Sequence, residues 1–400
     1  MQANGCQVTY MGFLEIENCV RNRGFKFIPL KSTNGTVIKS HIKEHRFKTL
    51  EKVYLKLHLE IKRKLQSLHA DIVLIGISRY QLYLLPTLDC GKEVLLYSLC
   101  AGYPSFDFRS PPITSRFICD IPIAKYFVNC MSWTSRLIRK SLRVNAIKER
   151  CYYPWSTIKR YCKENNIRFK FGVDGLFPDY PIVVFGTSIL EPYKMQGVTY
   201  LGIGNNIVER QKEDKETGNK KPLIYCTLGT MNQRYPKAKE FYKAMIEVFR
   251  INPQWRLIVS TGKIDVDSSN IPENVQLFAY APQTELLKFA DLAIIHGGHS
   301  TLKECISQSV PMIVVPCCYD QLGNAARVVR SKIGKTDFML LSSIIERYKG
   351  INTKRITPSR LQKLIEQVLY EPMYRRNAEI LQKKVKDANE LKAWIDKTNV

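Results

Sequence analysis

No uninterrupted apolar run in this 400-residue chain approaches the ~20 residues that a membrane-crossing helix needs. No charged-then-apolar leader opens it either, so a cytosolic protein is expected. CxxC spacing is missing among its 12 cysteines, and Cys317 and Cys318 are simply adjacent. That argues against zinc ribbons and a disulfide framework, and for reduced, mostly buried thiols. Acidic residues are scarce: 36 Asp+Glu stand against 61 Lys+Arg, a net charge of +25. The excess is spread over both halves rather than gathered in a tail. With no zinc-finger spacing, RNP-like aromatic strand or basic repeat, nucleic acid is not the expected partner. A basic solvated surface and attraction to an anionic membrane remain open.

What is present is ordinary for a globular protein, with 45% hydrophobic and 24% charged residues and length for two full cores. Val8–Met11 and Phe25–Leu30 read as strands around a helix from Glu15 to Asn22. His41 to Ser67 reads as a long helix with Leu50, Val53, Leu57, Ile61 and Leu65 on one face. Asp71–Ile75, Val94–Tyr97 and Ile182–Phe185 are continuous apolar runs, the mark of buried parallel strands. Tyr126 to Asn165 is aromatic, basic and expected to be helical. The polar stretch Glu209 to Lys221 is the best linker. Beyond it the pattern alternates as parallel α/β layers do: strand 223–228, helix 235–250, strands 256–260 and 275–278, helix 283–289, strand 292–295, helix 300–308, strand 312–315, helix 321–332. A helical tail runs from Thr357 to Lys397.

Ala281 to Gly323 carries the chemistry. The run Leu292–Ile295 stops at His296-Gly297-Gly298-His299-Ser300-Thr301, and the run Met312–Val315 leads through Pro316 to Asp320-Gln321. Both polar clusters fall at carboxyl ends of strands, where open parallel sheets bind ligands. Paired glycines let a ligand approach the backbone, and the helix start that follows favours a phosphate. Ser300 or Thr301 is expected to cap that helix. His296 could donate to a diphosphate, Glu304 returns to the same mouth one turn later, and Asp320-Gln321 offer groups for sugar hydroxyls. His299 reads as a local packing or solvent residue.

The pattern Tyr280-x-Pro282-Gln283, His296-Gly297-Gly298-x-Ser300-Thr301-x-x-Glu304, Pro311, Pro316, Asp320-Gln321, Asn324 resembles the donor signature of the UDP-glycosyltransferases. These include plant secondary-product, macrolide and zeaxanthin glucosyltransferases. Tyr225–Thr230 and Leu257–Gly262 resemble the first two strands of that family's donor domain. The resemblance implies an α/β fold of GT-B type, with two facing Rossmann-like domains of parallel sheet. It places an acceptor domain at 1–208, a linker at 209–221, the UDP-sugar domain at 222–380, and a final helix, 381–400, packed back on the first domain. It implies donor contacts at Thr230, Tyr280, Gln283, His296, Gly297, Gly298, Ser300, Thr301, Glu304, Asp320 and Gln321. Tyr280 would stack on the base, where plant members carry tryptophan, and Gln283 would meet its edge. Glu304 would hold the ribose, and Asp320 and Gln321 the hexose.

The implied reaction is transfer of a hexose from a UDP-sugar, UDP-glucose by preference, to a hydroxyl of an apolar acceptor. Inversion is implied, without a cofactor or metal ion, no acidic Asp-x-Asp cluster being expected to hold one. Such catalysis needs a base, which the family carries as a histidine after its first strand. None is assigned here, because the chain reads as opening on the second strand. His41, His45, His58 and His69 are poorly placed, and Gly76 follows Leu74-Ile75 where the family has an aspartate. Two alternatives stand beside a working transferase: a truncated or inactive donor-binding copy, and a basic polyanion or membrane binder. The expected location is cytoplasmic, with contact at the inner membrane face as a further expectation.

Overall fold

The computed structural model describes residues 5–33, 47–76, 90–98, 169–172, 175–178, 181–191, 197–203, 221–336 except 231, 236–237, 268 and 318–319, and 357–398, with a few single positions between. His41 and His45 lie outside these residues, as does nearly all of Tyr126–Asn165 and of the linker 209–221.

In the first half, β1 (Thr9–Phe13) and β2 (Lys26–Leu30) pair in parallel around a short turn of 3-10 helix and α1 (Glu17–Arg21). The long helix is α2 (Phe47–Gln66). It buries Leu57, Ile61 and Leu65, one helical turn apart, against Leu30 and the partly buried Met11, Phe13 and Val73. Two further elements are β3 (Ile72–Gly76) and β4 (Glu93–Ser98). After the antiparallel hairpin β5 (Phe169–Gly172) and β6 (Gly175–Pro178) come β7 (Ile182–Val184) and β8 (Val198–Tyr200). A parallel four-stranded sheet runs in the order β3-β4-β7-β8.

The second half begins with β9 (Leu223–Thr227), α3 (Ala238–Arg250), β10 (Arg256–Ser260) and β11 (Val275–Phe278). It continues with α4 (Gln283–Leu287), β12 (Leu292–Ile295), α5 (His299–Ser307), β13 (Met312–Val314), α6 (Gln321–Arg330) and β14 (Gly334–Thr336). Elements differ from the expected ones at their ends. The apolar pattern marks a face more sharply than a terminus. The strands β5, β6, β8 and β14, three or four residues each, are too short to leave such a pattern.

All six strands of the second sheet are parallel, in the order β11-β10-β9-β12-β13-β14. Numbered along the chain this is 3-2-1-4-5-6, the doubly wound order. The central strands β9 and β12 are buried at every position, so their residues can be apolar on both faces. One face carries α3, whose Phe241, Tyr242, Met245, Val248 and Phe249 pack with Trp255 and the helix α7 (Pro358–Tyr370). The other carries α5, α6 and α8 (Pro372–Ala388).

The tail departs from the single final helix expected over 381–400. It breaks at Asn389, whose φ of 39° is left-handed, a conformation asparagine tolerates better than most residues. Leu381 and Val385 of α8 stay with the second half, in a core that also takes in Leu190. Past the break, α9 (Glu390–Thr398) lays Trp394 and Ile395 against Leu95, Val183 and Leu201 of the first half.

Candidate active site

In a doubly wound sheet the crevice opens where the strand order reverses, between β9 and β12. The turns after these two strands meet there. Thr227 Oγ1 accepts from the Gly229 amide at 3.1 Å, and Gly229 has φ +77°. Its α-hydrogen faces the imidazole of His296, where a Cβ would stand 2.6 Å from Nε2. A Cβ on Gly298 would collide with that same Nε2. The ring therefore occupies space that two side chains would otherwise need. Burial drives its pKa down to about 4, with the Thr227 backbone pulling the other way. At neutral pH His296 is uncharged, and its buried Nδ1 has no hydrogen-bond partner.

Gly297 is required twice over. Its φ is +84°, and a Cβ would lie 2.7 Å from Val314 Cγ1 and 3.1 Å from the Gln321 carbonyl oxygen. Gly297→Ala should therefore cost about 2 kcal/mol, the left-handed penalty alone being ~1–2 kcal/mol. Urea unfolding at unchanged m-value would read it, and a loss under ~0.5 kcal/mol would show that the turn relaxes.

The N-cap of α5 is Gly298, extended and without a side-chain hydrogen bond. This corrects the expectation that Ser300 or Thr301 caps the helix. Neither does, so the first-turn amides keep no acceptor from a cap or from within the helix. Ser300 is exposed at this mouth, and Thr301 is buried beside it. Asn324, itself buried, donates from Nδ2 to the Gly297 carbonyl at 2.8 Å and to Asp320 Oδ2 at 2.9 Å, tying the glycine turn to the start of α6.

The comparisons agree with this geometry. The glycosyltransferase family 28 C-terminal domain matches residues 254–337. The NDP-glycosyltransferase YjiC of Bacillus subtilis is 32% identical over 42% of this chain and 43% of its own. Demethyllactenocin mycarosyltransferase of Streptomyces fradiae is 29% identical over 37% and 32%. Zeaxanthin glucosyltransferase of Pantoea ananas is 32% identical over 30% and 28%. The chain is thus similar to glycosyltransferases.

The matched stretch spans about half the length of these curated relatives or less. Solved structures extend the likeness in fold. The glycotransferase of kitacinnamycin superposes with a TM-score of 0.66 at 18% identity, covering 99% of this chain and 92% of that one. VinC in complex with DTDP does so at 0.57 and 13%, with the same coverage. The fold is GT-B, α/β with two Rossmann-like domains of parallel sheet.

The other residues that the family resemblance singles out gather at the same sheet edge. Thr230 is exposed in the turn after β9, and Tyr280 is 69% exposed after β11, leaving its ring open to stacking. Gln283 joins a network: Tyr225 Oη donates to its Oε1 at 3.1 Å, and its Nε2 donates to Glu304 Oε2 at 2.6 Å. Gln283 and Glu304 thus hold each other, which a contact of either with a nucleoside must accommodate. Gln321 is buried, with Oε1 accepting from the Cys317 amide at 2.7 Å and Nε2 donating to Tyr235 Oη at 3.1 Å. It braces the loop after β13 rather than offering a free amide to a sugar.

Three points were not legible beforehand. His299 is no solvent residue: 7% exposed, it hydrogen-bonds the Phe185 carbonyl oxygen of the first half through Nε2 at 2.9 Å. Burial, the Lys303 ammonium and Arg327 hold its pKa to about 4. Arg327 makes a bidentate pair with Glu191, Nε–Oε1 at 2.9 Å and Nη2–Oε2 at 2.8 Å, across 136 residues of chain, with both side chains 2% exposed. The spacing of α6 marks Arg327 only as the basic end of a helix, so no local signal names its partner. Ser309, after α5, has φ +53°, a left-handed backbone conformation that glycine adopts more readily than serine.

Contrary to the expectation that none is present, an Asp-x-Asp does occur, at Asp265-Val266-Asp267. Asp267 accepts from the Ser269 amide and hydroxyl at 3.0 and 2.7 Å, which holds its carboxyl below the ordinary range. Among the described residues, no three His, Cys, Asp or Glu gather as metal ligands do.

Proposed function

We propose that this protein binds a UDP-sugar, UDP-glucose by preference, and transfers its hexose with inversion to a hydroxyl of an apolar acceptor. The observation that carries the reading is the uncapped start of α5 beside His296-Gly297-Gly298, at the point where the sheet's strand order reverses. Amides without acceptors and the positive end of a helix dipole suit a diphosphate. The same donors would stabilise it as a leaving group, without a metal ion. Tyr280 would stack on the base, Glu304 and Gln283 would meet the nucleoside, and Asp320 the hexose. Thr230, Ser300 and Thr301 would line the phosphates. The acceptor would sit on the first-half side. A cytoplasmic setting with peripheral membrane contact belongs to the same reading.

His296→Ala should weaken UDP binding at least about tenfold, the worth of one hydrogen bond to a charged group. Titration calorimetry reads this, and unchanged UDP affinity would reject the role given to that side chain. A second reading, donor binding without turnover, is favoured by the end of β3. There Ile75-Gly76 offers no carboxylate to orient a base. UDP-dependent thermal stabilisation with no hydrolysis of UDP-glucose, and no product across a panel of phenols, would select it.

A further inference from the structure

We infer that the outward face of α2 is a docking surface for anionic lipid bilayers. The helix is amphipathic in two senses. Its inner stripe, Leu57, Ile61 and Leu65, is buried in the first-half core. On the opposite side Lys52, Leu55, Leu59 and Arg63 follow one another at three- and four-residue spacing, with Lys56 four residues after Lys52 and three before Leu59, so they form one ridge. Leu55 is 62% exposed and Leu59 44%, two large apolar side chains one turn apart in water.

None of the side chains described on this ridge is acidic. Glu60 lies to one side and is turned inward: its two oxygens accept from the Lys31 and Ser32 amides at 2.8 Å each, and Lys64 stands 3.6 Å away. Glu60 is thus engaged by the fold, and the ridge presents its leucines among cations, while the side chain of Glu51, the other carboxylate of α2, lies outside the described residues. That pairing suits an interface where apolar side chains enter the acyl boundary while Lys and Arg meet headgroup phosphates.

Charge selects among occupants. A second copy would bring one cationic ridge against another in a chain of net charge +25, which opposes self-association. Nucleic acid would satisfy the cations but leave the two leucines unused. A bilayer uses both. The other exposed basic helix, α8, shows the contrast: its exposed Ile380 and Lys383 sit beside the exposed carboxylates Glu379 and Asp387. That mixed surface suits water. No described helix is long and apolar enough to cross a membrane, so the contact is peripheral.

The test is co-sedimentation of the full chain with phosphatidylcholine vesicles, with and without phosphatidylglycerol. Binding to the anionic vesicles alone is expected, falling as salt rises from about 0.1 M to about 1 M. Lys52→Gln/Lys56→Gln/Arg63→Gln should weaken it on the order of a hundredfold, and Leu55→Asn/Leu59→Asn more than about tenfold. Lys383→Gln/Lys384→Gln on α8 should leave it within about threefold. All these positions are exposed, so each variant should fold, as circular dichroism would check. Equal weakening by the α8 pair would overturn the assignment in favour of general charge. Retention on RNA but not on vesicles would overturn it in favour of nucleic acid. A leucine-dependent dimer in sedimentation without vesicle binding would do so in favour of a second copy.

Discussion

Lowering the pH from 6.5 to 4 should cost the folded protein roughly 3 kcal/mol for each of His296 and His299. Both rings are held neutral chiefly by burial, with pKa values depressed from 6.5 to about 4. In the unfolded chain they take up protons through that window, whereas in the fold they do not. The unfolded state therefore binds more protons between the two values, and stability rises with pH there. It is fully present above pH 6.5 and is lost as pH falls toward 4. His296 cannot move to water cheaply, packed as it is between Gly229 and Gly298. His299 is enclosed by the first half, where a Cβ on Gly186 would lie 2.7 Å from its Nε2. Cations compound the cost, since Lys303 and Arg327 both disfavour a charged His299. Carboxylates titrate in the same range, so the informative quantity is a difference. Urea unfolding of the wild type and of His296→Asn/His299→Asn should show a shallower pH slope in the variant. Equal slopes would mean that both rings reach solvent before they protonate.

Arg327→Met should destabilise the protein by about 3–5 kcal/mol, because it leaves the Glu191 carboxylate buried and unpaired. The pair lies wholly out of water, and the neighbouring Tyr200 phenol, its pKa raised by burial and by Glu191, cannot supply a countercharge. Replacing both partners should recover most of the loss, since an apolar pair of similar volume carries no desolvation penalty. Glu191→Leu/Arg327→Met is thus expected within about 1–2 kcal/mol of the wild type. Thermal and urea unfolding of the single and double variants form the cycle that measures it. A single variant losing under about 1 kcal/mol, or a double variant no better than the single, would show the pair to be hydrated. The consequence reaches the candidate site, because α6 begins at Asp320-Gln321 and carries Arg327 two turns later. With His299 on the Phe185 carbonyl and Glu390 Oε1 accepting from the Ser188 amide at 2.9 Å, the pair sets the edge that carries the glycine turn against the first half.

Local chemistry was legible without coordinates. The continuous apolar runs of β4, β7 and β12 announced strands of parallel sheet. The glycines after them announced turns that no larger side chain can make, as the φ of +84° at Gly297 explains. Periodicity placed α2 and its buried face, and the ordered motif from Tyr280 to Asn324 pointed to the family. These features depend on neighbours within a few residues, so the chain itself specifies them. Tertiary structure alone decided which side chains are already engaged. Gln321 and Gln283 read as ligand contacts because amides suit sugars and bases, yet each is already engaged, among others by a tyrosine far off in sequence, Tyr235 and Tyr225 respectively. Ser300 and Thr301 read as caps because their chemistry permits it, but the backbone gives that position to Gly298. The partnership of Arg327 with Glu191 and the anchoring of His299 arise only when two sheets face each other. Pairwise distance across 136 and 114 residues is a property of the packed fold, and no spacing rule contains it.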